Sequence, residues 1–355
     1  MAPGVKFVSL QVLNGLGVGS TSHVINAIQW AIANKTAQGI DVLNLSLGHP
    51  IYEPAATDPL VQAVEAAVRE GITVVVAAGN IGMNPLTGEV GYAGITSPGN
   101  APSAITVGSS RTMATTTRID DLVSDFSSRG PTWHDAFAKP DVVAPGQYML
   151  SAATTTQTLY ALLPTLRGPT YGGRAYLNLS GTSMAAGVVS GTAALMIEQA
   201  KLAFGLKPTS HALKAMLQRS AVPMTNASGQ RYDVLTQGAG ALNAVGAATL
   251  AGALDPRVTT GSNWVANTIP MVSTIDGQVI SWNDNIVWGT DDNIVWGTSL
   301  ASQSADDNIV WGTNAVWGDN IVWRTSTIWS SNDNIVWGTD DNIVWGTSVL
   351  TTPAP

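Results

Sequence analysis

"LNLSGTSMAAGVVSG", residues 177–191, joins an extended segment to an apolar, helix-forming run through a glycine and a serine. Gly181 removes a side chain beside the hydroxyl of Ser183, and the serine lies where the first backbone N–H groups of a helix lack intrahelical partners. Such N–H groups can stabilise an oxyanion, so the stretch predicts a strand, a helix and a nucleophile between them. Taken alone, however, Gly-Thr-Ser at a helix start is more often a simple cap.

The rest of residues 1–250 alternates predicted strands with predicted helices. Continuous apolar runs such as "ITVVVAA" are typical of strands covered on both faces, and helices of this length between them indicate parallel βαβ units. Residues 5–12, with apolar side chains on both faces, are also predicted to be a buried strand. We therefore expect an α/β sandwich of helices around a parallel sheet. Helix starts are predicted at Ser22 and at Asp58-Pro59, and the buried stripes are Ile25, Ile28, Ile32 and Leu60, Val61, Val64, Val68.

Composition excludes several classes of partner. The 355 residues carry a net charge of −8 with no basic cluster, which argues against nucleic acid and anionic membranes. No apolar stretch is long enough to predict a membrane span. The 45% of hydrophobic residues can form a buried core, and a chain without cysteine, with few charges and rich in Gly, Ser and Thr suits a secreted bacterial enzyme. The start, "MAPGVKFVSLQVL", does not have the pattern of a signal peptide.

The composition changes abruptly after about residue 257. Asn-Ile-Val-Trp begins at residues 285, 293, 308, 320, 334 and 342, each time preceded by Asp, and most copies continue into Gly-Thr. Ile-Val-Trp favours strands and Asp-Asn or Gly-Thr favours turns, which predicts an array of short β-repeats. The predicted boundaries are a domain over 1–250, a linker over 251–280 and a Trp-rich tail over 281–355.

The domain over residues 1–250 resembles the subtilisin-like serine proteases. The resemblance rests on motifs that occur in the family's order, namely "MAPGVKFVSLQVL", "INAIQWAIAN", "IDVLNLSLG", "VVVAAGN", "SPGNAPSAITVGS", "FSSRGP", "KPDVVAPG" and "GTSMAAGVVSG". It implies a subtilisin-like fold and cleavage of a protein or peptide substrate through an acyl-enzyme. One departure is Gly187, which stands where the family usually has proline.

The resemblance also implies roles for individual residues. Ser183 is the expected nucleophile, and the Asn80 side chain and the Ser183 N–H are the expected oxyanion donors. Ile81 follows Asn80 where some relatives have a polar or acidic residue, which predicts an apolar specificity pocket. Structural calcium is common in such proteins, but the sequence identifies no metal ligands. The predicted substrate-binding residues are Ser46, Leu47, Gly48, Ala77, Ala78, Gly79 and Gly17.

The family's catalytic Asp and His precede the segment that resembles residues 1–13, and neither motif occurs in this sequence. His23, His134 and His211 are expected to have solvated or capping roles, and His49 is the histidine expected nearest the substrate cleft. The sequence therefore predicts that this chain is incomplete at its N-terminus and inactive alone, and that an upstream fragment supplies Asp and His. Full-length protein is expected to be extracellular.

A second hypothesis is a non-catalytic surface or glycan-binding module that acts through the tryptophan repeats, since exposed tryptophans can stack on glycans. Ser183 together with Asn80 distinguishes the two hypotheses, because a pure binding module has no need for both.

Overall fold

The computed structural model describes residues 2–257 and 269–282, together with the backbone of five short strands between residues 286 and 344. The helices are α1 Thr21–Gln38, α2 Pro59–Arg69, α3 Thr158–Leu162, α4 Thr182–Phe204, α5 Ser210–Arg219, α6 Val234–Gln237 and α7 Ala244–Ala251. The strands up to residue 281 are β1 Val42–Leu45, β2 Thr73–Ala77, β3 Ile105–Arg111, β4 Leu122–Val123, β5 Val142–Pro145, β6 Met149–Ala153, β7 Ala175–Leu179, β8 Val272–Ile275 and β9 Gln278–Ser281.

The main sheet is mostly parallel, as predicted. β1 pairs with β2, β2 with β3 and β3 with β5, all in parallel, and the short β4 adds to β3 in the antiparallel direction. β2 is fully buried and lies between two neighbours, which is the environment that its continuous apolar run favours. The carboxyl ends of β1 and β2 therefore open at the same edge of the sheet.

Helices cover both faces of this sheet. Val74 and Val76 of β2 pack into one core with α1 and α2, whereas Val75 and Ala77 pack into a second core with α4, α5 and α7. This alternation follows from the pleat of a strand, which points successive side chains to opposite faces. The α/β class predicted from the sequence is confirmed.

Two predicted helix starts have different outcomes. Asp58 caps α2 through its carboxylate, which accepts from the N–H groups of Leu60 and Val61, as the Asp-Pro pair predicts. For α1 the predicted cap was wrong by two residues. Ser20, not Ser22, accepts from the His23 N–H, and the Ser22 hydroxyl instead lies 2.9 Å from that of Ser20.

The predicted strand over residues 5–12 is a second correction. These residues form no strand, and Phe7 is 91% exposed. Apolar residues on both faces are necessary for a buried strand but not sufficient, because every strand also needs a neighbour for its N–H and C=O groups. Within the described residues, β1 pairs only with β2, so its outer edge has no neighbour either.

Residues 269–282, which fall mostly in the predicted linker, contain the β8–β9 hairpin. It ends at Trp282, which is 3% exposed and packs into the core beside α7.

The strands beyond it are β10 Ile286–Val287, β11 Asn308–Trp311, β12 Asn320–Arg324, β13 Val336–Gly338 and β14 Ile343–Val344, which pair in that order. The boundaries drawn at 250 and 280 stay predictions, and the tryptophan side chains invoked for glycan binding lie outside the described residues. Among the described helices, none is both long and apolar enough to cross a membrane.

Candidate active site

Ser183 occupies the first turn of α4, directly after the strand β7 and the short turn that follows it. Its side chain is half-buried, and its Oγ lies 3.3 Å from the carbonyl oxygen of Ser46, to which it donates. The Ser46 hydroxyl in turn donates to the Ser183 carbonyl at 2.8 Å. This reciprocal pair ties the first turn of α4 to the segment that follows β1.

Asn80 lies beside this turn because it follows β2 at the same edge of the sheet. Its Oδ1 accepts from the Thr182 N–H at 2.9 Å and from the Thr182 hydroxyl at 3.1 Å. A backbone N–H can only donate, so this contact fixes which amide atom is the oxygen. Nδ2 is therefore the amide atom that does not contact Thr182. It lies 3.5 Å from where a Cβ on Gly181 would be, so the glycine keeps the space next to Nδ2 open.

Thr182 is a residue that the sequence analysis missed. It is fully buried, and its hydroxyl lies 3.2 Å from both the N–H and the carbonyl oxygen of Gly79, in addition to its contact with Asn80. These bonds join the carboxyl end of β2 to the N-terminus of α4. The signal that could have identified Thr182 is its place between Gly181 and Ser183, where a cap residue is expected.

Two glycines form the opposite walls of a narrow space. A Cβ on Gly48 would come within 2.7 Å of the Thr96 Oγ1, and one on Gly79 would come within 2.9 Å of the Thr96 Cγ2 and 2.7 Å of the Ser128 Oγ. Gly79 also has φ +112°, a conformation that side chains disfavour. Thr96 thus lies between the two predicted substrate-binding segments. Ile81 is 59% exposed and its N–H donates to the Ser128 hydroxyl at 3.2 Å, so a hydroxyl lies beside the residue from which an apolar pocket was predicted.

The remaining predicted substrate-binding residues differ in burial and in position relative to Ser183. Ala77 and Ala78 are buried, so only their backbone is available to line a pocket. Leu47 is half-buried and packs against the core under α1 and α2. Gly17 lies in an exposed turn with φ +76°, and no hydrogen bond of the described residues links it to Ser183. The structure brings Ser46, Gly48, Gly79 and Asn80 together around the start of α4; the assigned roles stay predictions.

No described histidine is hydrogen-bonded to Ser183, whose Oγ contacts the Ser46 carbonyl instead. His49 has its Nδ1 2.7 Å from the Pro50 carbonyl and its ring stacked on Tyr52 at 5.5 Å. The His211 Nε2 lies 3.2 Å from the Ser103 hydroxyl, and His134 contacts the Trp133 ring edge-on. His23 lies in the exposed first turn of α1. A general base for Ser183 must be within hydrogen-bond reach, so none of these has the geometry for that role in this structure.

Metal-ligating residues do not gather anywhere in the described part of the chain: no three His, Cys, Asp or Glu side chains are placed to hold one ion. The site around Ser183 is built from hydroxyl, amide and backbone groups. Such an arrangement can supply a hydroxyl and neutral hydrogen-bond donors.

The fold and this arrangement define a class of protein, in which a serine at the start of a helix and a side-chain amide after a parallel strand meet at one edge of the sheet. The sequence profile of the subtilase family, Peptidase S8, matches residues 1–247. The chain belongs to the subtilase family.

Individual relatives are similar over the same part of the chain. Serine protease AprX of Bacillus subtilis (strain 168) is 37% identical over 203 residues, which are 56% of this chain and 43% of AprX. Subtilisin E of the same organism is 36% identical over 199 residues, which are 56% of this chain and 40% of subtilisin E. The matched residues span less than half the length of either relative. The structure of the Prenylagaramide maturation protease PagA has a TM-score of 0.46 and 26% identity, and the match covers 69% of this chain and 70% of PagA.

Proposed function

We propose that this chain carries the nucleophile and oxyanion hole of a secreted serine endopeptidase that cleaves proteins through an acyl-enzyme. Ser183 Oγ attacks the scissile carbonyl, and the carbonyl oxygen becomes an oxyanion that accepts from the Asn80 Nδ2 and the Ser183 N–H. The observation that carries this proposal is the bond from Thr182 to the Asn80 Oδ1, which leaves Nδ2 as a donor next to Ser183.

The proton of Ser183 requires a base that the described residues do not place at the site. We infer that an Asp and a His supplied by an upstream segment, as in the family's pattern, complete the triad. The outer edge of β1, which is unpaired within the described residues, and the mostly exposed residues 5–12 support this inference, because both lack a neighbour that would cover them. The segment would pair with the outer edge of β1, cover residues 5–12 and approach Ser183 from the side of Ser46.

The substrate would bind along the segments at Ser46–Gly48 and Ala77–Gly79. Ser183 Oγ donates a hydrogen bond to the Ser46 carbonyl until a base takes its proton. Without the base, the chain alone is expected to have no activity. The energetic reason is that in subtilisin loss of the catalytic histidine lowers kcat about 10⁶-fold.

The first prediction concerns reconstitution. The chain is assayed on a chromogenic peptide alone and after fusion to, or mixing with, a segment that contains the family's Asp-x-Gly and His-Gly-Thr-His motifs. We expect activity only in the second case, and we expect Ser183→Ala to abolish it. Asn80→Ala should lower kcat about 10²–10³-fold, the cost of removing the corresponding donor from subtilisin.

Asn84→Ala is the matched control, because Asn84 lies on the loop that follows Asn80 and its side chain accepts from the Leu86 N–H. It should leave kcat unchanged. Serine-dependent cleavage by the chain alone would contradict the inferred triad and make His49→Ala the next variant. Full activity of Asn80→Ala after reconstitution would contradict the oxyanion role.

A further inference from the structure

The strands that follow residue 285 have a register that their sequence repeats explain. β10, β11, β12 and β13 run parallel to one another, and β14 is antiparallel to β13. In β11 and β12, the Asn, Ile, Val and Trp of one copy lie opposite the Asn, Ile, Val and Trp of the next. Of the nine parallel Cα pairs in these strands, eight join identical residue types, and the exception is Arg324 opposite Gly338.

The in-register pairing can form between any two copies of the repeat. Each strand of the array lies beside a strand with the same sequence, so any other copy of Asn-Ile-Val-Trp could take the same position. Parallel, in-register pairing of identical short segments is the arrangement that also allows separate chains to stack. A copy on another molecule is chemically the same partner as the next copy along the chain.

Within the described strands, the array ends at β10 on one side and at β14 on the other. Among the described strands, β10 pairs only with β11, and β14 pairs only with β13. The outer edge of each end strand presents N–H and C=O groups to whatever strand approaches. The sequence holds six copies of the repeat, and the described part of the chain contains five strands of the sheet.

We propose that the Asn-Ile-Val-Trp array is a self-association surface, which adds strands from a second copy of this chain in parallel register at its ends, β10 and β14. The occupant is the same array on another molecule. The proposal is independent of the protease function, since it involves none of residues 1–282.

The negative charge of the array opposes this association, so its strength should depend on the salt concentration. Residues 281–355 contain nine Asp and one Arg, a net charge of −8, which equals the net charge of the whole chain. Two arrays therefore repel each other at low ionic strength, and the Debye length shortens from about 30 Å at 0.01 M salt to about 10 Å at 0.1 M. Added salt should thus strengthen the association.

The test is sedimentation velocity of the full chain over a concentration series at low and high sodium chloride. We expect a mean mass that rises with concentration and rises further with salt. Val287→Pro combined with Val344→Pro removes backbone donors from the outer strands β10 and β14 and should leave a monomer. Val349→Pro, in the same tail but outside the repeats, is the matched control and should associate like the unmodified chain.

Charge exchange tests the register itself. One variant carries Ile286→Lys and Ile343→Lys in the outer strands β10 and β14, and a second carries Ile286→Glu and Ile343→Glu. When β14 of one copy meets β10 of another in register, each variant alone places like charges opposite each other and should stay monomeric, whereas the mixture should associate because opposite charges meet between copies. An unchanged melting of the helical signal in both variants verifies that residues 1–257 remain folded.

Three outcomes would overturn the proposal. One is a monomer at every concentration and salt. Another is association that survives the proline pair or that the mixture of charge variants fails to restore. The third is a monomeric chain that sediments with an insoluble polysaccharide, which would assign the array to glycans instead.

Discussion

At the scale of single residues, the site depends on a threonine that does not touch the substrate. The Thr182 hydroxyl bonds to Gly79 and to Asn80, and its N–H holds the Asn80 Oδ1. Asn80 itself is exposed, so no packing fixes its rotamer. Thr182 is thus a positioning residue for the oxyanion donor.

The second prediction follows from this role. Thr182→Val keeps the shape of the side chain but loses the hydroxyl, so Asn80 keeps one of its two bonds and becomes mobile. In the reconstituted protease we expect kcat to fall about tenfold while KM stays unchanged, because the lost interaction acts in the transition state. Thr192→Val, a buried threonine further along the same helix, is the control. A rise in KM with unchanged kcat would mean that Thr182 shapes the substrate groove instead.

The third prediction concerns Asp121, which is 4% exposed. Burial raises the pKa of this carboxyl from 3.8 to about 6, although the nearby Arg118 lowers it, and its Oδ1 has no hydrogen-bond partner within the described residues. The folded state therefore binds more protons than the unfolded state between these two pKa values. The stability that the protonated carboxyl contributes is complete below about pH 4 and is lost as the pH rises through 6.

Asp121→Asn stays neutral at every pH and should remove this dependence. We expect it to be more stable than the unmodified chain near pH 7.5, by on the order of 1 kcal/mol, with no such gain near pH 4. Urea denaturation at the two pH values measures the difference. Asp125→Asn, an exposed carboxylate in the loop that follows β4, should show neither effect. Equal changes at both pH values would show that the carboxyl of Asp121 does not titrate as stated.

At the scale of elements, α4 connects the site to the core. Its first turn holds Ser183, and its buried residues from Ala185 to Ala200 pack against the sheet. Gly187, which replaces the family's usual proline, lies on its exposed face, and a Cβ there would meet no atom within 4 Å. The glycine therefore adds flexibility without serving a close approach.

The fourth prediction compares two helical glycines. Gly187→Ala should raise the free energy of unfolding by about 0.5–1 kcal/mol, because alanine loses less backbone entropy in a helix. Gly246→Ala in α7 should lower it, since the new Cβ would lie 2.6 Å from the Asn243 Nδ2 and 2.9 Å from the Trp282 ring. Thermal unfolding of both variants gives the comparison. A loss of stability in Gly187→Ala would mean that another segment packs on this face of α4.

A buried ion cluster joins the start of β5 to α5. The Asp141 carboxylate, one residue before β5, lies 2.8 Å from the Lys139 Nζ and 3.1 Å from the Lys214 Nζ of α5. Burial lowers the pKa of Lys214, and Asp141 opposes that shift. Both ammonium groups also donate to the Ala104 carbonyl, so the cluster satisfies its charges by hydrogen bonds within the protein.

At the scale of the whole molecule, Trp282 fastens the β8–β9 hairpin to the domain. Its ring packs beside α7, and its Nε1 donates to the Ser273 hydroxyl at 2.8 Å. Asn243, the cap of α7, donates to the same hydroxyl. The folded unit thus extends past residue 250, the predicted end of the domain.

The fifth prediction tests that attachment. Trp282→Ala should destabilise the domain by about 3–5 kcal/mol, the usual cost of removing a buried aromatic side chain. Trp133→Ala, at a ring that is 59% exposed, should cost far less. Guanidinium denaturation monitored by circular dichroism measures both. If Trp282→Ala leaves the midpoint unchanged, the hairpin belongs with the tail and not with the domain.

The sequence predicted those parts of the fold whose signals are local. The apolar run of β2 and the Asp58-Pro59 start of α2 needed no knowledge of distant residues. Residues 5–12 were predicted wrongly because periodicity indicates burial but not the presence of a neighbouring strand. In the site, Ser183 and Asn80 were selected by motif, whereas Thr96 was missed because its place between Gly48 and Gly79 results from contacts distant in sequence.

The charge of this chain is divided unevenly between a neutral folded body and an acidic tail. Residues 1–280 contain fifteen basic and fifteen acidic residues, so the folded body has no net charge of its own, and the nine Asp and one Arg that follow carry the whole net charge of −8. Colloidal repulsion between neighbouring molecules therefore originates from the tail and not from the folded body. A nick anywhere between Trp282 and the repeats would release a body at its isoelectric point near neutral pH, where proteins are least soluble.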